Sequence, residues 1–336
     1  MASADRYHRQ RIVPEIGEAG QRALRKSRVL VLGVGALGSV AADLLARAGV
    51  GHLRIVDRDV VELTNLQRQT LFAEGDVDRP KAEAAARRLA AVNSEIAIEP
   101  AARDFNARTY ADLLRDVDFV VDGTDNMEAR LLLNDACLKL DVPWVYGGAI
   151  ATNGMVLPVR PEGGPCFRCM VPRAPAPGSL PTCDTAGILN TVSTAIASLQ
   201  VTLAIRHLIG NPPPPKLYVF DAWEMDFQKL DLKRRKDCPA CVSHRYEFLA
   251  ATSREILASL CGRDAISLDP MHEGTVDLAA ISERLKRIGT VRDAGSVVMF
   301  ETEGVSLTVF PDGRALIRGT EDPDRAKALY AKYVGR

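Results

Sequence analysis

The segment Gly33-Val34-Gly35-Ala36-Leu37-Gly38 constrains the fold of this chain more than any other. It follows an apolar run, Arg28–Gly33, and opens a helical pattern, Ala36–Ala48, in which Leu37, Val40, Leu44, Leu45 and Ala48 share one face. A strand that ends in a glycine-rich turn and enters a helix is the start of a nucleotide-binding βαβ unit, whose backbone N–H groups hold phosphate. His52–Asp57 supplies the second strand, and Asp57 lies 19 residues after Gly38, where an acid meets ribose hydroxyls. Gly33, Gly35, Gly38 and Asp57 are therefore candidate nucleotide-binding residues. The alternation continues. Ile96–Ala101, Phe119–Gly123 and Val142–Gly147 read as short buried strands. Helical patterns run from Pro80 to Val92, with proline tolerated in the first turn, and from Met127 to Leu140. This predicts an α/β fold: a Rossmann-like, largely parallel, doubly wound sheet with helices on both faces.

After Gly148 the style changes. Gly154–Arg160 and Lys216–Leu232 alternate like antiparallel strands that extend the sheet, with a loop at Arg173–Gly178. From about Leu249 a third style begins: strands at Ala265–Leu268, Ser296–Thr302, Val305–Phe310 and Ala315–Arg318, helices at Val276–Ile288 and Asp322–Tyr333. We divide the chain into residues 1–248, a nucleotide-binding domain, and 249–336, a small C-terminal α+β domain. The longest apolar stretch, Thr191–Ile209, is interrupted by Ser193, Ser198, Gln200 and Arg206, which favours a core helix over a membrane span. The 43 basic residues balance 43 acidic ones, so composition gives no support to nucleic-acid or membrane-surface binding. Seven cysteines, an odd number, with no apolar export signal in Met1–Glu15, point to a reducing, cytoplasmic setting rather than a disulfide framework.

The glycine turn does not distinguish a dinucleotide from ATP. A triphosphate carries about four negative charges and needs cations, whereas a pyrophosphate is held largely by backbone. Arg68, in Asn65-Leu66-Gln67-Arg68-Gln69, and Lys81 follow the second strand on the edge where open α/β sheets bind ligands. Asp125 ends another strand on that edge and is placed to hold magnesium; its alternative role is to cap the Met127 helix, which Asn126 could do instead. No histidine lies near these strand ends. Hydride transfer to a carbonyl usually needs a proton donor. A carboxylate attacking the α-phosphorus of ATP is already ionised and needs none. Cys166-Phe-Arg-Cys169 and Cys238-Pro-Ala-Cys241 are two CxxC pairs that together would fill a structural zinc; redox pairs or four unrelated cysteines are the alternatives. Cys183 precedes a helix, where a thiol's pKa can fall, and is either a nucleophile or a small buried residue. Cys137 and Cys261 read as packing or incidental residues, and Trp144 and Trp223 as core or interface residues.

The chain resembles the ThiF/MoeB/HesA family, relatives of ubiquitin-activating enzymes. The resemblance rests on Arg6-Tyr7-His8-Arg9-Gln10, the glycine turn, Asp57-Arg58-Asp59, Asn65-Leu66-Gln67-Arg68-Gln69, Lys81, Thr124-Asp125-Asn126, both CxxC pairs and Thr182-Cys183. It implies a homodimer that uses ATP and magnesium to adenylate the C-terminal glycine of a small ubiquitin-like carrier ending in Gly-Gly. The acyl-adenylate then accepts sulfur, from a sulfurtransferase or a cysteine desulfurase, for thiamine, molybdopterin, cysteine or tRNA thiolation. By the same resemblance Asp57 and Asn65 belong to the nucleotide site, Arg68 and Lys81 contact the triphosphate, and Asp125 binds magnesium. Arg9 reaches the partner subunit's site, and Cys183 joins covalently to the carrier in some members. Thr64 stands where the family often has serine, and residues 249–336 contain no rhodanese-like loop. Three alternatives stay open: adenylation of a small-molecule, peptide or tRNA-linked carboxylate, an NAD-dependent dehydrogenase, and a scaffold with a vestigial site.

Overall fold

The run Arg28–Leu32 forms a strand whose residues feed two cores by simple alternation. Val29 and Val31 join one apolar cluster, Leu30 and Leu32 the other, and all four are buried. Fully burying each such side chain stabilises the fold by about 1.5–3 kcal/mol. A strand hydrophobic on both faces belongs at the centre of a sheet covered on both sides, and that is its place. The computed structural model describes residues 5–176, 179, 181–250, 256–259, 265–269, 275–294, 296–302 and 304–335.

The described residues fall into two compact units, Met1–Val77 with Lys81–Ala251, and Asp78–Pro80 with Thr252–Arg336. The first begins α1 (His8–Arg11), α2 (Gly17–Lys26), β1 (Arg28–Leu32), α3 (Ala36–Ala48), β2 (His52–Val56), α4 (Lys81–Val92) and β3 (Ala97–Ala101). It continues α5 (Tyr110–Leu113), β4 (Phe119–Asp122), α6 (Met127–Lys139), β5 (Trp144–Ile150) and β6 (Asn153–Val159). It closes with α7 (Phe167–Met170), α8 (Cys183–Ala186), α9 (Asn190–Leu208), β7 (Lys216–Asp221), β8 (Asp226–Asp231) and α10 (Glu247–Ala250). Its eight strands lie in the order β3-β2-β1-β4-β5-β6-β7-β8. The first five are parallel and the last three antiparallel. Strand order reverses between β1 and β4, and the loops leaving those two strands meet. Such a switch point is where open α/β sheets bind ligands. Residues of α3, α4 and α9 pack on one face; residues of α6 and α7, with the four CxxC cysteines, pack on the other.

The helix expected at Thr191–Ile209 is α9, a core helix as anticipated. It buries Val192, Ile196, Ala197, Val201 and Ala204, and Gln200 donates to the Asp122 carbonyl at 2.7 Å. Among the described residues no helix is long and apolar enough to cross a membrane. Trp144 is fully buried, but Trp223 is 73% exposed at the β7–β8 turn, so it is not a core residue. Cys137 is buried in α6, and Cys261 lies outside the described residues.

The second unit carries β9 (Ile256–Ser259), β10 (Ala265–Asp269), α11 (Leu278–Leu285), β11 (Thr290–Asp293), β12 (Val298–Thr302), β13 (Val305–Val309), β14 (Ala315–Arg318) and α12 (Pro323–Tyr333). Its antiparallel sheet has the order β11-β12-β13-β14-β10-β9. The sequence pattern did not mark β9, β11 or the amphipathic α2. Each of the two strands is four residues long.

Candidate active site

The glycine turn is packed against the end of β4. Gly33 has φ +81°, and its N–H donates to the Val56 carbonyl at 2.7 Å. A Cβ on Gly33 would stand 2.8 Å from the Gly123 carbonyl oxygen, and one on Gly38 would stand 1.8 Å from the Gly33 carbonyl oxygen. Backbone crowding therefore demands glycine at both. Gly123 is a third member of this contact, since its own Cβ would approach Gly33 O at 2.3 Å.

Asp57 does more than face the turn. Its Oδ2 accepts the Val34 N–H at 2.8 Å and its Oδ1 accepts the Asp59 N–H at 2.8 Å. The carboxylate thus ties the glycine turn to the loop after β2. Burial pushes its pKa up, against the opposing pull of Lys81 and these two N–H donors. Each oxygen keeps acceptor capacity for a further donor. Lys81, buried at the start of α4, donates its backbone N–H to the Asp59 carbonyl at 2.9 Å, and its Nζ lies 3.7 Å from Asp59 Oδ2. Asp59 therefore links Asp57 to Lys81. Arg58 Nη1 meets Asp104 Oδ1 at 3.1 Å. Desolvation works against its charge, yet Asp104, Asp59 and Asp125 outweigh that and hold its pKa above the ordinary value.

Asn65 closes a 3-10 turn, Leu63–Asn65; its Oδ1 accepts the Glu62 N–H at 3.4 Å and the residue is buried. Arg68 is half-buried, with Nη1 on the Thr64 carbonyl at 3.1 Å. Gln69 is buried beside Gly35.

At the end of β4, Asp122 is wholly buried. Its Oδ1 accepts both the N–H and the hydroxyl of Thr124, and its Oδ2 meets Arg130 Nε at 3.3 Å. Burial raises the Asp122 pKa despite Arg130 and Thr124. Arg130 also donates Nη2 to the carbonyls of Thr124 at 2.6 Å and Gly147 at 3.2 Å. This network holds the loop on which Asp125 stands exposed, its carboxylate making no hydrogen bond among the described residues. Asn126 is the residue that caps α6, its Oδ1 accepting the Ala129 N–H at 2.8 Å. Asp125 is thereby free of the capping role. Its charge is felt by both Arg58 and Arg130.

Tyr7, Gln10 and Arg6 fasten α1 to its own chain. Tyr7 Oη accepts from Asn93 Nδ2 at 2.8 Å, Gln10 Nε2 donates to the Ala48 carbonyl at 2.8 Å, and Arg6 Nη1 donates to the Val92 carbonyl at 3.1 Å. Arg9, on the same short helix, stays exposed and makes no such bond.

The two CxxC pairs, far apart in sequence, converge. All four sulfurs lie within 4.8 Å of one another and are buried, with Cys166 Sγ–Cys238 Sγ at 3.7 Å and Cys169 Sγ–Cys241 Sγ at 3.6 Å. A tetrahedral zinc with bonds of about 2.3 Å spaces its sulfurs by about 3.8 Å, so the set fits. The Arg235 N–H points at Cys169 Sγ at 3.4 Å, the kind of support that ligand thiolates receive. Around it, Asn134 Oδ1 accepts the Phe167 N–H at 2.9 Å and Asp135 Oδ2 accepts the Phe248 N–H at 3.0 Å.

A glycine turn at the switch point, an acid tied to it, a buried lysine beyond and a four-cysteine cluster on the opposite core form one pattern, and residues 7–240 match the ThiF family. The chain belongs to the ThiF family. It is similar to the sulfur carrier protein ThiS adenylyltransferase of Bacillus subtilis, 38% identical over 335 residues, covering 98% of this chain and 99% of that protein. It is also similar to the sulfur carrier protein adenylyltransferase of Thermus thermophilus, 38% identical over 244 residues, covering 70% of this chain and 90% of that one. Among solved structures, E. coli MccB with MccA-N7isoASN superposes with a TM-score of 0.62 at 25% identity, over 71% of this chain and 75% of that one.

Within this ThiF-family chain the structure brings Gly33, Gly38, Asp57 and Lys81 into one bonded group through Val34 and Asp59, and sets Asp125 within electrostatic reach of it through Arg58. It does not bring Arg9 to that group. Cys183 opens α8, but its side chain lies outside the described residues. Sequence reasoning assigned no task to Asp59, Gln69, Asp122, Gly123 or Arg130. Asp59 and Gln69 stood inside quoted motifs, but their task shows only once their partners are known.

Proposed function

We propose that this protein adenylates the C-terminal carboxylate of a small ubiquitin-like sulfur-carrier protein ending in Gly-Gly, at the expense of ATP. The observation that carries the reading is the bonded chain from the glycine turn through Asp57 and Asp59 to buried Lys81, which ties a ribose-binding acid to a triphosphate-binding cation. In this reading the turn's N–H groups and the start of α3 hold phosphate, and Asp57 accepts the ribose hydroxyls with its remaining lone pairs. Asn65, Arg68 and Lys81 orient the triphosphate and offset its charge. Asp125 would hold magnesium, which neutralises phosphate charge when bound.

A carrier carboxylate oxygen attacks the α-phosphorus. The bond to the bridging oxygen of the β-phosphate breaks, and pyrophosphate leaves with the electron pair. The nucleophile is ionised at neutral pH, so the site's task is positioning and charge neutralisation rather than proton transfer. The acyl-adenylate then accepts sulfur from a sulfurtransferase or a cysteine desulfurase. Arg9, fastened through its neighbours yet itself unpaired, is suited to complete the site of a second copy in a homodimer. The four cysteines would hold a structural zinc, since no position stays open for water. Cys183 is the candidate for covalent linkage to the carrier. Adenylation is assigned to residues 1–248, with 249–336 a separate α+β domain, and the setting is cytoplasmic.

ATP–pyrophosphate exchange, measured with and without Gly-Gly-ended small proteins, tests this reading. Exchange stimulated by one carrier supports it and names the substrate. No exchange with any carrier, or a nicotinamide absorbance change with a small substrate instead, would overturn it.

A further inference from the structure

The Asp125 loop and the four-cysteine cluster are gripped by one face of the same helix. Arg130 and Asn134 lie four residues apart on α6, which sets them on one face, a turn from each other. Arg130 holds the loop, with Nη2 on the Thr124 carbonyl at 2.6 Å, one residue before Asp125. Asn134 is wholly buried and holds the cluster. Its Oδ1 accepts the N–H of Phe167, the residue after Cys166 in the first CxxC pair, at 2.9 Å.

The same phenylalanine reaches Arg130 by a second route. Its ring is fully buried and packs on Tyr146 of β5, with centroids 4.9 Å apart. Arg130 Cζ lies 5.2 Å from the centre of that tyrosine ring. Trp144, two residues back on β5, flanks Phe167 at 6.0 Å. Phe167 is thus tied to α6 by its backbone and to β5 by its ring. Close-packed interiors pass a displacement on to their neighbours. Bonds to one metal would set Cys166 and Cys169 against Cys238 and Cys241, and with them the phenylalanine between. Arg130 has little slack of its own, since it also meets Asp122 Oδ2 at 3.3 Å and the Gly147 carbonyl at 3.2 Å. A shift of Tyr146 is therefore taken up at the Thr124 carbonyl, on the loop that carries Asp125.

We propose that Phe167 and Asn134 are positioning residues that couple metal loading of the cysteine cluster to magnesium-ATP binding at the Asp125 loop, acting through Tyr146 and Arg130. The inference rests on the adenylation reading for the ligand at Asp125. Full-length protein, loaded with zinc or stripped by a chelator, is titrated calorimetrically without carrier, with magnesium-ATP and with adenosine. Stripping lowers magnesium-ATP affinity about 5- to 30-fold. Adenosine affinity stays within about twofold, because Asp57 is tied to the glycine turn and the loop after β2 rather than to α6. Zinc-loaded Asn134→Ala and Phe167→Leu show the same selective loss, and stripping them adds little. Both variants melt lower, so all titrations are run well below their transitions. Linkage is reciprocal, so magnesium-ATP in excess magnesium raises the zinc affinity of wild-type protein, read by chelator competition, by the same factor, and does not in the variants. Equal magnesium-ATP affinity in loaded and stripped protein overturns the inference, as does wild-type affinity in both variants. Parallel losses for magnesium-ATP and adenosine overturn it too, by showing a merely structural role. Should stripping unfold the protein, the two loaded variants and the reciprocal titration decide. If wild-type protein takes up no zinc, the coupling falls alone; if it binds no magnesium-ATP, the adenylation reading falls and the coupling with it.

Discussion

Replacing Asp57 by asparagine tests whether that carboxylate organises the site as well as binding within it. Two backbone N–H groups, from Val34 and Asp59, point at its two oxygens at 2.8 Å each. Asparagine offers one oxygen. Its NH2 must face the other N–H, leaving a buried donor unpaired, at a cost of about 1–3 kcal/mol. Part of that is returned, because burial disfavours the wild-type charge, as its raised pKa shows. A net loss of about 1–2 kcal/mol lowers the melting temperature of a unit this size by about 2–8 °C. Nucleotide binding loses more. The charge-assisted contact to the ribose that the proposed function gives Asp57 would be worth about 1.5–3 kcal/mol, and ATP affinity is expected to fall roughly 10- to 100-fold. Thermal unfolding and ATP titration on the same preparation read both effects. An unchanged melting temperature together with an ATP affinity within twofold of wild type would refute the assignment of both bonds.

Arg130→Met strands the buried Asp122 carboxylate without its cation and is expected to cost about 3–5 kcal/mol, whereas adding Asp122→Asn to it recovers part of the loss; equal melting temperatures for the single and double variants would refute a buried pair. Cys238→Ser should lower both the zinc content by elemental analysis and the melting temperature, and full zinc at an unchanged melting temperature would sink the structural-site reading. Burial lifts the Asp135 carboxyl from 3.8 to about 6. Because the folded value is the higher, its stabilisation is full below about pH 3.8 and is lost as pH rises through about 6. Asp135→Asn keeps an acceptor for the Phe248 N–H, so it should be about 1–3 kcal/mol more stable than wild type at pH 7, with about half of that difference left at pH 5 and little at pH 4; the same difference at pH 7 and pH 4 would contradict this. If Arg9 serves a second copy's site, mixing inactive Arg9→Ala and Asp125→Ala proteins should restore pyrophosphate exchange in mixed dimers, and continued silence after subunit exchange would exclude it.

Much of the fold was legible in the order of residues. All eight strands of the large sheet fall where alternation or apolar runs placed them. Trp223 reads in sequence as a core or interface residue, and its exposure excludes only the core. A bulky apolar residue reads as core until the sheet's edge is known, and it sits on an exposed hairpin turn. Among the site residues, the glycine turn and Asp57 were readable because their spacing is local. Asn126, not Asp125, caps α6, and only the direction of its Oδ1 could decide between them.

Local spacing alone determined the βαβ start, the position of the acid after the second strand and the two CxxC pairs, since helix, strand and turn preferences act over a few residues. Tertiary structure decided which distant residues share work. Gly123 meets Gly33 because β4 docks beside β1; Gln200 reaches the Asp122 carbonyl because α9 packs across the sheet; and the cysteine pairs converge because β6 and β8 return to one side. Those pairings depend on burial and crossing geometry summed over the whole domain, a quantity that no short window of sequence contains.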